Sequence, residues 1–475
     1  MAKAAENFGV QPRSVSGASP RHPAVPAVSR LRSLLDSREM IANPIGVFSK
    51  YTASLGDNFI FHFGGVKTAL VSSHPAVIQH VLKTNYENYQ KSEIQMKRMR
   101  HFLGPGLLTS HGKTWLTQRR LIQQGFSHSK LSVLASLMHQ CLQDSMDSFD
   151  REIDGGPVDI YPKLMQMTFR MVSRSLFSAN IKDEDVDYIS QTICTVQEFM
   201  VRQIVQPYLD PWFALSGQLR KHEAMRDRGN RIILDYIQQR REQAGSYDDL
   251  LQILMDAIYN DGHGMSDESI LHESMQLLVA GHETSSNGLS WMLYLLSRHP
   301  EYVDEIRREY DRVIGDSSMQ YADVPKLEFT NQVVDEALRL YPPFWMVDRV
   351  AMADDQIQDL SIPQGATIIV FIYGAHHSPK YWDQPESFLP DRFRKENKKN
   401  HAPFTYLPFG AGPRGCIGGN YAMLQMLIIL GAILRRYDFE LAPDQAVSAR
   451  PMIILRPRNG IRMSFSRRSE LSRAS

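Results

Sequence analysis

Phe409-Gly410-Ala411-Gly412-Pro413-Arg414-Gly415-Cys416-Ile417-Gly418 is the most chemically loaded stretch of this 475-residue chain. Its glycines at 410, 412 and 415 allow turns that other residues resist and let the backbone approach a flat ligand closely. An apolar helical run, Tyr421 to Leu434, begins just beyond, so a helix N-terminus with free N–H groups and a positive dipole end faces the Cys416 sulfur. Such surroundings favour a thiolate, the form of cysteine that ligates metals. Arg414 adds a permanent cation suited to a ligand carboxylate.

Two blander readings compete. A lone cysteine among apolar residues is usually an inert core residue. Gly410-x-Gly412-x-x-Gly415 also matches the dinucleotide-binding fingerprint, but that motif must follow a buried strand. Here Pro403 and Pro408 break the preceding segment, and Pro413 falls inside the match. A thiolate on a haem iron accounts for glycines, helix start and arginine together.

Composition leaves room for one large globular unit: 43% of residues are hydrophobic and 22% charged. Lys plus Arg (53) and Asp plus Glu (52) nearly cancel to a net charge of +1, which argues against a protein that coats nucleic acid. Three cysteines, Cys141, Cys194 and Cys416, cannot build a disulfide framework, so a reducing compartment is expected. The polar N-terminus has no signal-peptide core. The most apolar runs, Ile368 to Ile372 and Met423 to Leu434, fall short of the roughly 20 residues that span a bilayer. The expectation is a cytoplasmic protein without a membrane anchor.

Residues 1–27 read as a loose arm, 28–465 as one domain, and 466–475 as a frayed basic tail. Strands are expected at Asn58 to Phe63 and Thr68 to Val71 around a Gly64-Gly65 turn, and again at Ala366 to Ile372. Helical periodicity starts at Lys130 and places Leu131, Leu134, Leu137, Met138, Leu142 and Met146 on one face. Ser266 to Arg298 reads as a helix of roughly 50 Å, closed by His299-Pro300. The fold class is mainly α with small β-sheets.

Other constellations are weaker alone. Glu336 and Arg339 lie three apart on a helical face, a spacing common in surface decoration. Arg392 follows in Pro390-Asp391-Arg392-Phe393. Ala280-Gly281-His282-Glu283-Thr284-Ser285 puts poor helix formers inside the long helix, where the Thr284 hydroxyl can bond back one turn, and a local opening of the ladder with room for water is expected. A zinc-protease reading fails, because the residue four beyond His282 is Ser286. Trp115 and Arg119 share another helical face.

With these residues in view, Phe409 to Gly418 resembles the haem-binding loop of the cytochrome P450 superfamily. Its six fixed positions would match by chance with a probability on the order of 10⁻⁵ in a chain this long. The resemblance implies a cytochrome P450 fold and haem b, with Cys416 as the axial iron ligand inside a loop framed by Phe409 and Gly418. It makes Glu336, Arg339 and Arg392 a buried ion network bracing that loop. It assigns Trp115, Arg119, Arg349 and Arg414 to the haem propionates, leaving Arg120 and His111 solvated or in support. Thr284 would hold dioxygen, and Glu283 would help deliver protons through water.

The activity implied is a monooxygenase of the soluble bacterial type, a monomer acting on a small apolar organic molecule with O2. One haem domain uses up the chain, so electrons are expected from a separate ferredoxin or flavodoxin and its reductase. The run Arg394-Lys395-Glu396-Asn397-Lys398-Lys399 is a candidate docking face or a plain solvated one. A peroxygenase of the same fold, a haem sensor and a nicotinamide dehydrogenase are the rivals. Residues 193–213 should roof the pocket with Met200, Val201, Ile204 and Val205.

Overall fold

The computed structural model describes residues 25–178, 181–243, 247–259 and 262–468. The helix Asp267–Leu296 runs through the middle of the molecule. Ser266 caps it, its hydroxyl oxygen accepting the Ser269 N–H at 3.2 Å, while Asp267 and Glu268 complement the dipole in the first turn. Pro300 then opens the next helix, Pro300–Val313. Around the long helix pack Ile160–Phe177, Glu328–Leu340 and Gly419–Arg436, all with largely buried faces.

The helix His128–Ile153 buries Leu131, Leu134, Met138, Leu142 and Met146 of the expected stripe, while Leu137, at its margin, is half-buried. Each such side chain contributes about 1.5–3 kcal/mol by leaving water. These faces merge into one main hydrophobic core, and a smaller cluster of Phe102, Phe199, Met200 and Phe213 forms under residues 193–213. There the helix Asp183–Val205 is followed by the short turns Pro207–Leu209 and Asp210–Leu215. Met200 is buried and Val201 half-buried, while the side chains of Ile204 and Val205 lie outside the described residues.

A five-stranded sheet forms the other lobe, in the order Asn58–Phe63, Lys67–Ser72, Thr367–Val370, Val347–Ala351, Tyr89–Gln90. The first two make a hairpin, and Lys67–Ser72 pairs in parallel with Thr367–Val370, Leu70 opposite Ile368. The apolar run 366–372 does not stay extended throughout. The strand ends at Val370, and Ile372 starts the short helix Ile372–His376, because the Tyr373 N–H is taken by the Trp345 carbonyl at 2.9 Å.

Residues 26–28 and 466–467 are held by named partners. Pro26 to Val28 lies along the first strand, with the Val28 N–H on the Ile60 carbonyl and the Ile60 N–H on Pro26, both at 2.9 Å. Residues 26 and 27, expected in the arm, are therefore joined to the first strand; residues 1–24 lie outside the described set. At the other end, the strand Arg462–Arg467 pairs with Tyr437–Leu441, and Arg467 bonds Asp150 and Asp154. The domain thus extends past 465, and residues 469–475 are outside the described set. No helix among the described residues is long and apolar enough to cross a membrane.

Candidate active site

The cysteine loop is a tight knot of backbone hydrogen bonds. The Cys416 N–H donates to the Phe409 carbonyl at 2.8 Å, Gly415 to Gly412 at 3.0 Å, and Gly410 to Leu407 at 3.1 Å. Gly412 has φ +67°, and a Cβ there would stand 1.9 Å from the Leu82 carbonyl oxygen. Its glycine is required by that π-helical turn, His80–Thr84, pressing on the loop. Gly418 sits at the N-cap of Gly419–Arg436, so Cys416 does face a helix start.

The Cys416 thiol is open on one side and walled by protein on the other. The wall raises its pKa, while the Gly418 backbone N–H and the Arg119 guanidinium act the other way. Cys141 is buried and Cys194 half-buried, and burial pushes both thiols up to about 11. Of the three, Cys416 is the exposed one.

Beside the loop stands a group of cations. The buried Trp115 ring carries the Arg414 guanidinium 4.2 Å from its centre and that of Arg119 at 5.9 Å. Arg119 donates to the Gly415 carbonyl at 2.8 Å and Arg414 to that of Ser110 at 3.2 Å. Arg349, buried, donates to the Asp348 carbonyl at 2.6 Å. Lys91 joins them, its ammonium on the Leu108 carbonyl at 2.6 Å. Among the described residues none of the four makes an ion pair.

Burial and mutual repulsion weaken their charged forms. Desolvation, then Arg349 and Arg414, push Lys91 down to about 7, and desolvation with Arg349 and Arg119 lowers Arg414 to about 10. Four cations with Asp348 as the carboxylate acting on Lys91 and Arg349 leave a surplus of positive charge that suits a polyanion. Arg120 and His111 are exposed and stand apart.

Glu336, Arg339 and Arg392 do come together. Glu336 and Arg339 are fully buried and joined by two parallel bonds of 2.7 and 2.8 Å. Arg392 reaches the same carboxylate at 3.2 Å, as does the Leu389 N–H at 3.0 Å. Arg339 further donates to the carbonyls of His376 and Pro385, both at 2.8 Å, and of Ser387 at 3.3 Å. The surface-decoration reading is thereby excluded.

On the long helix, the half-buried Thr284 donates its hydroxyl to the Ala280 carbonyl at 2.9 Å, the expected back-bond. Helical structure nevertheless continues unbroken through 280–286. Glu283 is 2% exposed, and Arg456 holds its carboxylate in a buried ion pair. A small cavity lined by Gln197, Val201 and Ile454 reaches this pair.

These features can be compared with known proteins. The family described as Cytochrome P450 matches residues 23–465. The chain is a cytochrome P450. Cyclooctatin synthase of Streptomyces melanosporofaciens is 31% identical over 82% of this chain and 85% of its own. A human ultra-long-chain fatty acid omega-hydroxylase is 30% identical, covering 84% and 79%. The cytochrome P450DA heme domain superposes with a TM-score of 0.81 at 24% identity, covering 91% of this chain and 94% of that one. A retinoic acid-bound cyanobacterial CYP120A1 gives 0.80 at 23% identity over 94% and 100%.

The cofactor of this cytochrome P450 is haem b, and the side chains present suit it. An open thiol at a helix start could ligate the iron, and the surplus of cations beside it would suit the two carboxylates of the porphyrin. Three contributors escaped the sequence reading. Lys91 looks like any lysine before a helix, and Arg456 like any strand arginine. His376, whose ring lies between Arg339 and the cysteine loop, is hidden in an ordinary His-His pair. No local pattern distinguishes them, since each acquires its partners from another element: Leu108 for Lys91, Arg339 and Leu407 for His376, and Glu283 for Arg456.

Proposed function

We propose that this cytochrome P450 inserts one oxygen atom of O2 into a C–H or C=C bond of a small apolar organic molecule, with electrons from a separate ferredoxin or flavodoxin system. The observation that carries the reading is the adjacent pair Glu283–Thr284 on the central helix: an acid beside an alcohol, with a small cavity reaching the acid. Haem supplies the oxygen chemistry when bound, and a thiolate ligand favours O–O cleavage.

In this reading Cys416 is the axial ligand, in a loop closed by Phe409 and opened to its helix by Gly418. Trp115, Arg119, Arg349, Arg414 and Lys91 orient the carboxylates. The Thr284 hydroxyl, on releasing Ala280, would present a proton to dioxygen, and Glu283, beside the small cavity, would pass protons on to it once freed from Arg456. Glu336, Arg339 and Arg392 keep the loop in register. Named relatives act on an ultra-long-chain fatty acid and on cyclooctat-9-en-7-ol, in keeping with an apolar carbon skeleton.

The run 394–399 is a poor docking face for an acidic partner. Arg394, Lys395 and Lys398 already pair with Asp391, Glu328 and Asp335.

The test is Thr284→Ala, assayed for product, reductant and hydrogen peroxide together with reductase in excess. Electron use should persist while product per electron falls and peroxide accumulates. Unchanged coupling would remove the proton role, and wild-type turnover on peroxide alone would favour the peroxygenase.

A further inference from the structure

One side chain joins the buried ion network to the cysteine loop. His376 ends the short helix Ile372–His376 and is fully buried. Its Nδ1 lies 3.1 Å from the Arg339 carbonyl oxygen and must donate there, and its Nε2 lies 2.8 Å from the Leu407 amide nitrogen and must accept there. Only the neutral ring protonated on Nδ1 meets both demands. Burial, with His377 and Arg339 adding to it, holds the imidazole down to about 3, so that form persists at neutral pH.

The bonding continues beyond the ring. The Leu407 carbonyl accepts the Gly410 N–H, and the Phe409 carbonyl accepts that of Cys416. An unbroken path thus leads from the last turn of Glu328–Leu340, through the imidazole, to the amide of the cysteine itself. Tyr406 gives the same segment a second hold, its hydroxyl 2.9 Å from the Asp335 carboxylate.

We infer that His376 is a positioning residue for Cys416: it transfers the register of the Glu336–Arg339 network to the loop and so fixes the sulfur against its helix N-terminus. Its effect at the iron rests on the haem-thiolate reading, whereas its effect on the loop does not. Thiolate donor strength depends on the N–H groups around the sulfur, and here the Gly418 N–H is one of them. A loop released at Leu407 would change that bond without altering any residue that touches haem.

Two substitutions separate the edges of the ring. In His376→Asn the amide nitrogen replaces Nδ1, keeping the Arg339 bond and leaving the Leu407 N–H unpaired. In His376→Gln the longer side chain can bring its oxygen to the Nε2 position and keep Leu407. Hydrogen exchange of the peptide spanning 404–416 should speed roughly tenfold in Asn, the loss of one buried hydrogen bond, and much less in Gln. In the haem-loaded protein, Asn should lose part of the red-shifted thiolate band of the reduced carbon monoxide complex and shift the reduction potential, with Gln near wild type.

Equal exchange at 404–416 in wild type, Asn and Gln would overturn the inference. So would exchange raised evenly over the whole molecule in both variants, which marks a merely structural ring. Loop exchange that separates Asn from Gln, in a protein whose wild type lacks the thiolate band, would uphold the positioning and refute the haem-thiolate reading. The exchange measurement needs no haem, so a variant that loads poorly is still informative.

Discussion

Replacing the two arginines on Glu336 should cost very different amounts, although both pair with the same carboxylate. Arg339→Ala removes the bidentate bond to Glu336 and leaves three carbonyls, those of His376, Pro385 and Ser387, without their donor. Glu336 keeps only the Leu389 N–H and Arg392. A buried pair broken on one side costs about 3–5 kcal/mol. Arg392 gives a single 3.2 Å bond to Glu336 and one to the Gln384 carbonyl, and part of its side chain meets water. Its removal should cost about 1.5–3 kcal/mol, the range for a hydrogen bond to a charged group. Against a total stability of about 5–15 kcal/mol, the first loss threatens folding and the second does not. Urea midpoints of Arg339→Ala, Arg392→Ala and Arg339→Ala/Glu336→Gln would show the order. The double variant should recover part of the loss by removing the stranded charge. Equal losses for the two arginines, or an Arg339→Ala loss under about 1 kcal/mol, would refute the reasoning.

Cys416→Ala should abolish the thiolate band of the reduced carbon monoxide complex, and its survival would move the ligand elsewhere. Gly412→Ala should cost more than about 2 kcal/mol and lower haem content, since its Cβ meets the backbone of Leu82 at a left-handed φ; a normal melting temperature would contradict this. Lys91 titrates near about 7 in the cofactor-free fold against 10.5 when unfolded, so between those values the unfolded chain binds one more proton and stability rises with pH. Haem carboxylates should restore its charge, so loading at pH 8–9 should take up about one proton that Lys91→Met does not, measurable in weak buffer. Arg456→Met should cost about 3–5 kcal/mol by stranding the buried Glu283, and adding Glu283→Gln should recover much of it in thermal melts.

The cysteine loop was legible because its signal is local: glycine spacing, an arginine and a helix start lie within ten residues. The ion network was not legible from spacing, since three of the carbonyls that bury Arg339 come from residues 376, 385 and 387. Only the resemblance singled it out. The strand at 366–372 overshot because an apolar β-branched run does not say where a neighbouring carbonyl will turn the chain. Pro26 and Arg467 look frayed in sequence for a related reason: their partners, Ile60 and Asp150, are distant in the chain. Lys91 and Arg456 gave no sign, because a buried charge is recognised by what surrounds it in space.

The parallel pairing of Lys67–Ser72 with Thr367–Val370 also bears on biosynthesis. The hairpin leaves the ribosome early, but the strand that covers its inner edge lies about 300 residues later. At about 5–20 residues per second, that edge waits roughly 15–60 s for its partner. During this interval the nascent protein shows an open apolar ladder, the kind of edge that pairs with other chains. The turn around Leu82 waits longer still, because the glycine it presses against is residue 412. Yield in cells should therefore respond to holding chaperones and to slowed initiation more than to added stability in the finished helices.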